Sequence, residues 1–129
     1  MNTDIMKGLK LLIVEDDLSS RLYLNKILEK TGAVLINASD GETAVNKVKE
    51  DNGINVVLMD IQLPVMDGYV AAARIREIKK GMIIIAQTAY GLQADKLRIN
   101  DAGFNDFMIK PIIAQRLIDK IGELTSLIK

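Results

Sequence analysis

The residues best suited to chemistry in this 129-residue chain are acids, a hydroxyl and an amine, each placed where an apolar run ends. Glu15-Asp16-Asp17 follows Leu9–Val14, and Asp60 closes Val56-Val57-Leu58-Met59. Thr88 stands just past Met82–Ala86, and Lys110-Pro111 follows Phe104–Ile109. Adjacent like charges at the mouth of a strand are costly unless a cation or a helix N-terminus answers them. Carboxylates so grouped suit a hard divalent cation. An amine and a hydroxyl suit an anionic group facing it. A nucleophilic carboxylate, a metal to neutralise phosphoryl oxygens, a lysine and a hydroxyl donor are the parts needed for phosphoryl transfer to Asp60.

For these groups to meet, the apolar runs must be parallel strands of one sheet with their carboxyl ends on one edge. The sequence supports this. Leu9–Val14, Ala33–Asn37, Ile54–Met59, Met82–Ala86 and Phe104–Ile109 read as strands. Each is followed by a helical stretch, namely Leu18–Thr31, a helix opened by Ser39-Asp40-Gly41-Glu42, one from Gly68 to about Lys80, a weaker one from about Leu92 to Ala102, and a last one carrying Leu117, Ile121, Leu124 and Ile128. Ser39 with Glu42 three residues on has the form of a capping box, and Asp17 reads as the cap of the first helix. Gly32, Gly53, Gly81 and Gly103 fall where helix hands over to strand. Most of the strands are apolar throughout, so helices must cover both faces. The expected fold is α/β, (βα)5, a doubly wound five-stranded parallel sheet. The expected organisation is a flexible segment over 1–8 and a single domain over 9–129.

Composition narrows the function classes. Lys plus Arg and Asp plus Glu are both 17, which gives no support to nucleic-acid or membrane-surface binding. There is no cysteine and no histidine, so thiol chemistry, a histidine-based triad and a histidine-ligated metal are excluded. A metal must therefore be held by oxygen, which points to Mg2+, Mn2+ or Ca2+. No signal-like or membrane-spanning stretch is present, and a cytoplasmic location is expected.

Leu11–Asp17, Met59-Asp60-Ile61-Gln62-Leu63-Pro64-Val65-Met66-Asp67-Gly68, Thr88-Ala89 and Phe107–Pro111, in this order and at these separations, resemble the receiver domain of two-component response regulators. The resemblance covers essentially the whole chain and implies the flavodoxin-like strand order 2-1-3-4-5. It implies that Asp60 is the phosphoacceptor, that Asp16 binds Mg2+ directly, and that Glu15 acts from outside through water. The metal would also take an oxygen of Asp60 and the backbone carbonyl of Gln62. Thr88 and Lys110 would contact the phosphoryl oxygens, and Lys110-Pro111 would be joined by a cis peptide bond. Thr88 and Phe107 would form the switch, reshaping the surface of the fourth helix, fifth strand and fifth helix. Gln62 and Tyr90 would set the lifetime of the phosphoryl group. Gln87 departs from the family by standing where an apolar residue is usual.

The implied function is that of a phosphoacceptor in a phosphorelay, taking its phosphoryl group from a histidine kinase or histidine phosphotransfer protein and hydrolysing it slowly. It is not an enzyme with an external substrate. Its downstream partner is unknown, and the switch surface is a place where a phosphorylation-dependent homodimer can form. Two readings compete. A phosphorylation-independent binding module of the same fold would lack Asp16, Asp60 or Lys110. A flavin protein needs a Ser/Thr/Gly-rich loop after the first strand, and a phosphatase of the same general architecture needs Asp-x-Asp there; Glu15-Asp16-Asp17 is neither.

Overall fold

The runs that are apolar on both faces become the inner strands of a parallel sheet. The computed structural model describes residues 5–89 and 93–126, except the side chains of residues 93–95. In order these form β1 (Lys10–Val14), α1 (Leu18–Glu29), β2 (Val34–Ala38), α2 (Gly41–Glu50), β3 (Val56–Asp60), α3 (Gly68–Ile78), β4 (Ile83–Thr88), α4 (Gln93–Asp101), β5 (Asp106–Ile109) and α5 (Ala114–Thr125). The strands are all parallel, as the apolar runs indicated, and their order is β2-β1-β3-β4-β5, as the resemblance implied.

Alternate residues of the inner strands feed two cores. Leu12, Val14, Val57, Met59, Ile84 and Ala86 face α2, α3 and α4. Leu11, Ile13, Val56, Leu58, Ile83 and Ile85 face α1 and α5. On the second face Met6 is only 3% exposed, and its N–H donates to Thr31 O at 2.8 Å. That residue of the segment expected to be flexible is held by burial of its side chain. Tyr90, Leu92 and Ile128 lie outside the described residues.

Aspartates start three of the helices. Asp17, Asp40 and Asp67 accept hydrogen bonds from the backbone N–H of Ser20, Thr43 and Val70 respectively. Asp40 replaces Ser39 as the expected cap of α2. Its extended backbone lets the carboxylate reach both Thr43 N (2.7 Å) and Thr43 Oγ1 (3.1 Å). Gly32 and Gly103 adopt φ of +83° and +101°, the left-handed turn that lets α1 and α4 stop and the chain re-enter the sheet.

Candidate functional site

The register of the sheet places the chemistry. Val14 pairs with Met59, Asp60 with Gln87, and Thr88 with Ile109, so the chain segments carrying Glu15, Asp60, Thr88 and Lys110 leave the sheet along one edge. An open cleft of about 800 Å3 lies over that edge and is lined by all four.

At its floor Glu15 is 1% exposed, and Asp60 and Thr88 are each 6% exposed, whereas Asp16 is exposed. Carboxylate oxygens of Glu15, Asp16 and Asp60 lie within 4.8 Å of one another. This all-oxygen, anionic donor set fits Mg2+ or Mn2+ and offers nothing to a softer metal. Lys110 reaches across β4 to join the two strands that carry the acids. Its Nζ lies 2.6 Å from Asp60 Oδ2 and 3.3 Å from Glu15 Oε1. The Gln62 N–H donates to the other Asp60 oxygen at 3.0 Å. Both Asp60 oxygens are thus held, and the carboxylate is aimed by groups from β5 and from the turn after β3.

The charges alter one another. Burial pushes the Glu15 carboxyl up, and the nearby Asp60 charge adds to this, against the hydrogen bond from Asp17 N and the pull of Lys110. Burial alone would lower the Lys110 ammonium. The hydrogen bond and charge of Asp60, followed by the charge of Glu15, outweigh it and hold the ammonium above its ordinary value. The backbone is tied as well: Lys110 N–H donates to Thr88 O at 2.8 Å, and the Lys110–Pro111 bond is cis.

Phe107 is half-buried beneath α4, in register with Ala86, and the Lys96 ammonium lies 5.7 Å from its ring centroid. Gln62 is exposed at the cleft wall. Gln87 is 1% exposed and its Nε2 has no hydrogen-bond partner, a burial that costs about 1–3 kcal/mol. In register, Gln87 pairs with Asp60 on one neighbouring strand and with Met108 on the other.

Two further residues on the cleft wall, Tyr69 and Arg98, carried no such signal in the sequence. Arg98 lies in a helix whose polar sequence has no clear inward face. Only the fold brings them together, with the Arg98 guanidinium carbon 3.9 Å from the Tyr69 ring centroid.

The family model of the response regulator receiver domain matches residues 11–122. The chain belongs to this family. Among relatives of this receiver domain, the chemotaxis protein CheY of Bacillus subtilis is 36% identical over 115 residues, covering 88% of this chain and 95% of that protein. Probable histidine kinase 2 of rice (Oryza sativa subsp. indica) is 33% identical over 133 residues, covering 90% of this chain but 13% of that protein. The receiver domain is therefore nearly the whole of one relative and a small part of the other.

Solved receiver domains superpose closely. That of the Saccharomyces cerevisiae response regulator Ssk1, crystallised with the histidine phosphotransfer protein Ypd1, gives a TM-score of 0.86 at 35% identity over 92% of this chain and 89% of that one. That of the sensor histidine kinase PA1611 from Pseudomonas aeruginosa gives 0.80 at 34% identity over 90% of this chain and 95% of that one, and it has a magnesium ion coordinated in its active-site cleft. Among the described residues here, no helix is long and apolar enough to cross a membrane.

Proposed function

We propose that this receiver domain accepts a phosphoryl group on Asp60 from a phosphohistidine of a histidine kinase or of a histidine phosphotransfer protein or domain. The observation that carries the reading is the placement of Lys110 Nζ between Asp60 (2.6 Å) and Glu15 (3.3 Å) over a cluster of three carboxylates. This stretch has no histidine, so the donor is another protein, another domain or a small acyl phosphate. The complex formed by the related Ssk1 receiver domain supports a phosphotransfer protein in that role.

In the proposed step an Asp60 oxygen attacks phosphorus, the P–N bond to the donor imidazole breaks, and the imidazole takes both bonding electrons and then a proton. Asp16 and Asp60 would hold Mg2+ directly with the Gln62 carbonyl, and Glu15 would hold it through water. The metal, when bound, supplies charge neutralisation at the phosphoryl oxygens. Lys110, already at Asp60, stays with the transferred group as a charge-assisted donor. Thr88, at the end of the neighbouring strand, is placed to donate its hydroxyl. Movement of Thr88 would open space for Phe107 to turn inward and reshape the α4–β5–α5 surface for a downstream partner. Water attack on phosphorus later returns the carboxylate, so the domain acts on itself and on no outside substrate.

Mg2+ with acetyl phosphate should add one phosphoryl group to the intact protein, measured by mass spectrometry, and Asp60→Asn should abolish the adduct. Absence of the adduct in the native protein, or its persistence in the variant, would overturn the assignment.

A further inference from the structure

The charge on the cleft wall is lopsided. Glu15, Asp16, Asp17, Asp60 and Asp67 contribute carboxylates, while the cations among the described lining residues are Lys110 and Arg98. Lys110 is engaged by Asp60 and Glu15. Arg98 is not paired with any carboxylate among the described residues. Its guanidinium rests on the face of Tyr69, 3.9 Å from the ring centroid. Stacking orients a guanidinium without neutralising it and leaves its N–H edge available to an anion. Tyr69 is itself fixed by an edge-to-face contact with Phe104, with ring centroids 6.3 Å apart. An exposed arginine on α4 thus has a defined position at the mouth of a cleft whose other wall repels anions.

We propose that Arg98 is a donor-recognition residue: stacked on Tyr69, it draws the anionic phosphoryl group of the incoming donor past the carboxylates toward Asp60. This rests on Asp60 being the phosphoacceptor. Arg98 acts before the chemical step. Its loss slows capture of the donor, while metal binding and the later hydrolysis of the phosphorylated domain are left as they were. Removing a cation from an acidic cleft does not weaken Mg2+ binding; electrostatics alone would strengthen it slightly. Cations placed along an anion's path raise association rates in a salt-dependent way.

The test follows phosphorylation of the purified protein by intact-mass spectrometry at saturating Mg2+, with acetyl phosphate and, separately, phosphoramidate as donors, at low and high ionic strength. For Arg98→Ala, the slope of initial rate against donor concentration should fall about five- to tenfold at low ionic strength. It should then change little with added salt. Arg98→Lys should restore the slope to within about twofold, because a charge survives without the planar stack. The Mg2+ midpoint by calorimetry should match the native protein or lie slightly tighter, and the rate of phosphoryl loss should match. A slope for Arg98→Ala within twofold of native would overturn the proposal. So would an Arg98→Lys variant as slow as Arg98→Ala, which would reduce Arg98 to a packing contact, or a weakened Mg2+ midpoint, which would mean a distorted site. A native protein that takes no phosphoryl group at all would instead remove the Asp60 reading on which the proposal stands.

Discussion

The helices α3 and α4 border the same cleft and are held in opposite ways. α3 buries Gly68, Ala71, Ala72 and Ile75, and its first residue lies against the end of β3. A Cβ added at Gly68 would come 2.5 Å from Asp60 O and 2.7 Å from Ile61 Cα. Along α4, by contrast, Lys96, Leu97, Arg98, Asn100 and Asp101 are exposed and Ile99 is buried. The far end of α4 is tied from α3: the Arg76 guanidinium donates to Gly103 O, Lys80 O, Met82 O and Asn105 Oδ1. One wall of the cleft is thus built into the core and fixes Asp60. The other rests on few contacts and adjoins Thr88 and Phe107. A small charge event can rearrange only what costs little to move, so the weak wall is the natural place for a response.

Truncating equivalent side chains on the two helices tells the two walls apart. Ile75 is fully buried among α2, α3 and the sheet, where neighbours on every side resist collapse. Ile75→Ala should cost about 4 kcal/mol. Ile99 is nearly as buried, at 3% exposure, but sits under a helix that can settle into the space. Ile99→Ala should cost about 2 kcal/mol. Urea unfolding of both variants provides the check. Equal losses would mean that α4 is as firmly seated as α3, and the contrast between the walls would fail.

The floor between the two walls carries an electrostatic cost. In the metal-free protein, burial raises the Glu15 carboxyl above its ordinary range. A raised carboxyl favours the fold below its unfolded pKa, and that contribution is lost as pH rises through the folded value. Above that folded value the ionised Glu15 is therefore a liability. Glu15→Gln should raise metal-free stability by on the order of 1 kcal/mol. The gain should be full above the raised folded pKa and shrink as pH falls toward the ordinary carboxylate range. Mg2+ should stabilise the native protein more than the variant. Thermal unfolding at several pH values, with and without Mg2+, reads both effects. A variant less stable than native at pH 7 would show that Glu15's bond to Lys110 outweighs its burial.

The difference between the walls also explains what could be read from the chain. The strands were legible because Val56–Met59 and Met82–Ala86 are apolar on both faces, a pattern that leaves little choice but an inner parallel strand. Parallel strands then fix a shared edge, which is why Glu15, Asp60, Thr88 and Lys110 could be grouped before any coordinates. The start of α2 was misplaced by one residue because Ser39 and Asp40 are both good caps, and backbone geometry decides between them. Arg98 and Tyr69 were not legible as a pair. They meet across two helices, and the approach depends on how α4 lies, which its polar sequence leaves open. The unpartnered Gln87 amide was visible as a polar residue in an apolar run, but its burial depends on the neighbouring strands.

The smallest expected effect tests the same contrast from outside. Leu97 is 61% exposed, a large apolar side chain on the solvent face of α4. If α4 is held mainly by Ile99, by Arg98 on Tyr69 and by the Arg76 ties at its far end, Leu97 contributes almost nothing to the fold. Leu97→Ala should then change global stability by less than about 0.5 kcal/mol. Hydrogen exchange gives the finer reading, because α4 amides should exchange through local opening and those of α3 only through much larger unfolding. Ala has a slightly better helix propensity than Leu, so the substitution should leave α4 protection unchanged or raise it a little. A loss above 1 kcal/mol, or α4 amides that exchange only with global unfolding, would mean that Leu97 covers a contact of its own and that the second wall is as fixed as the first.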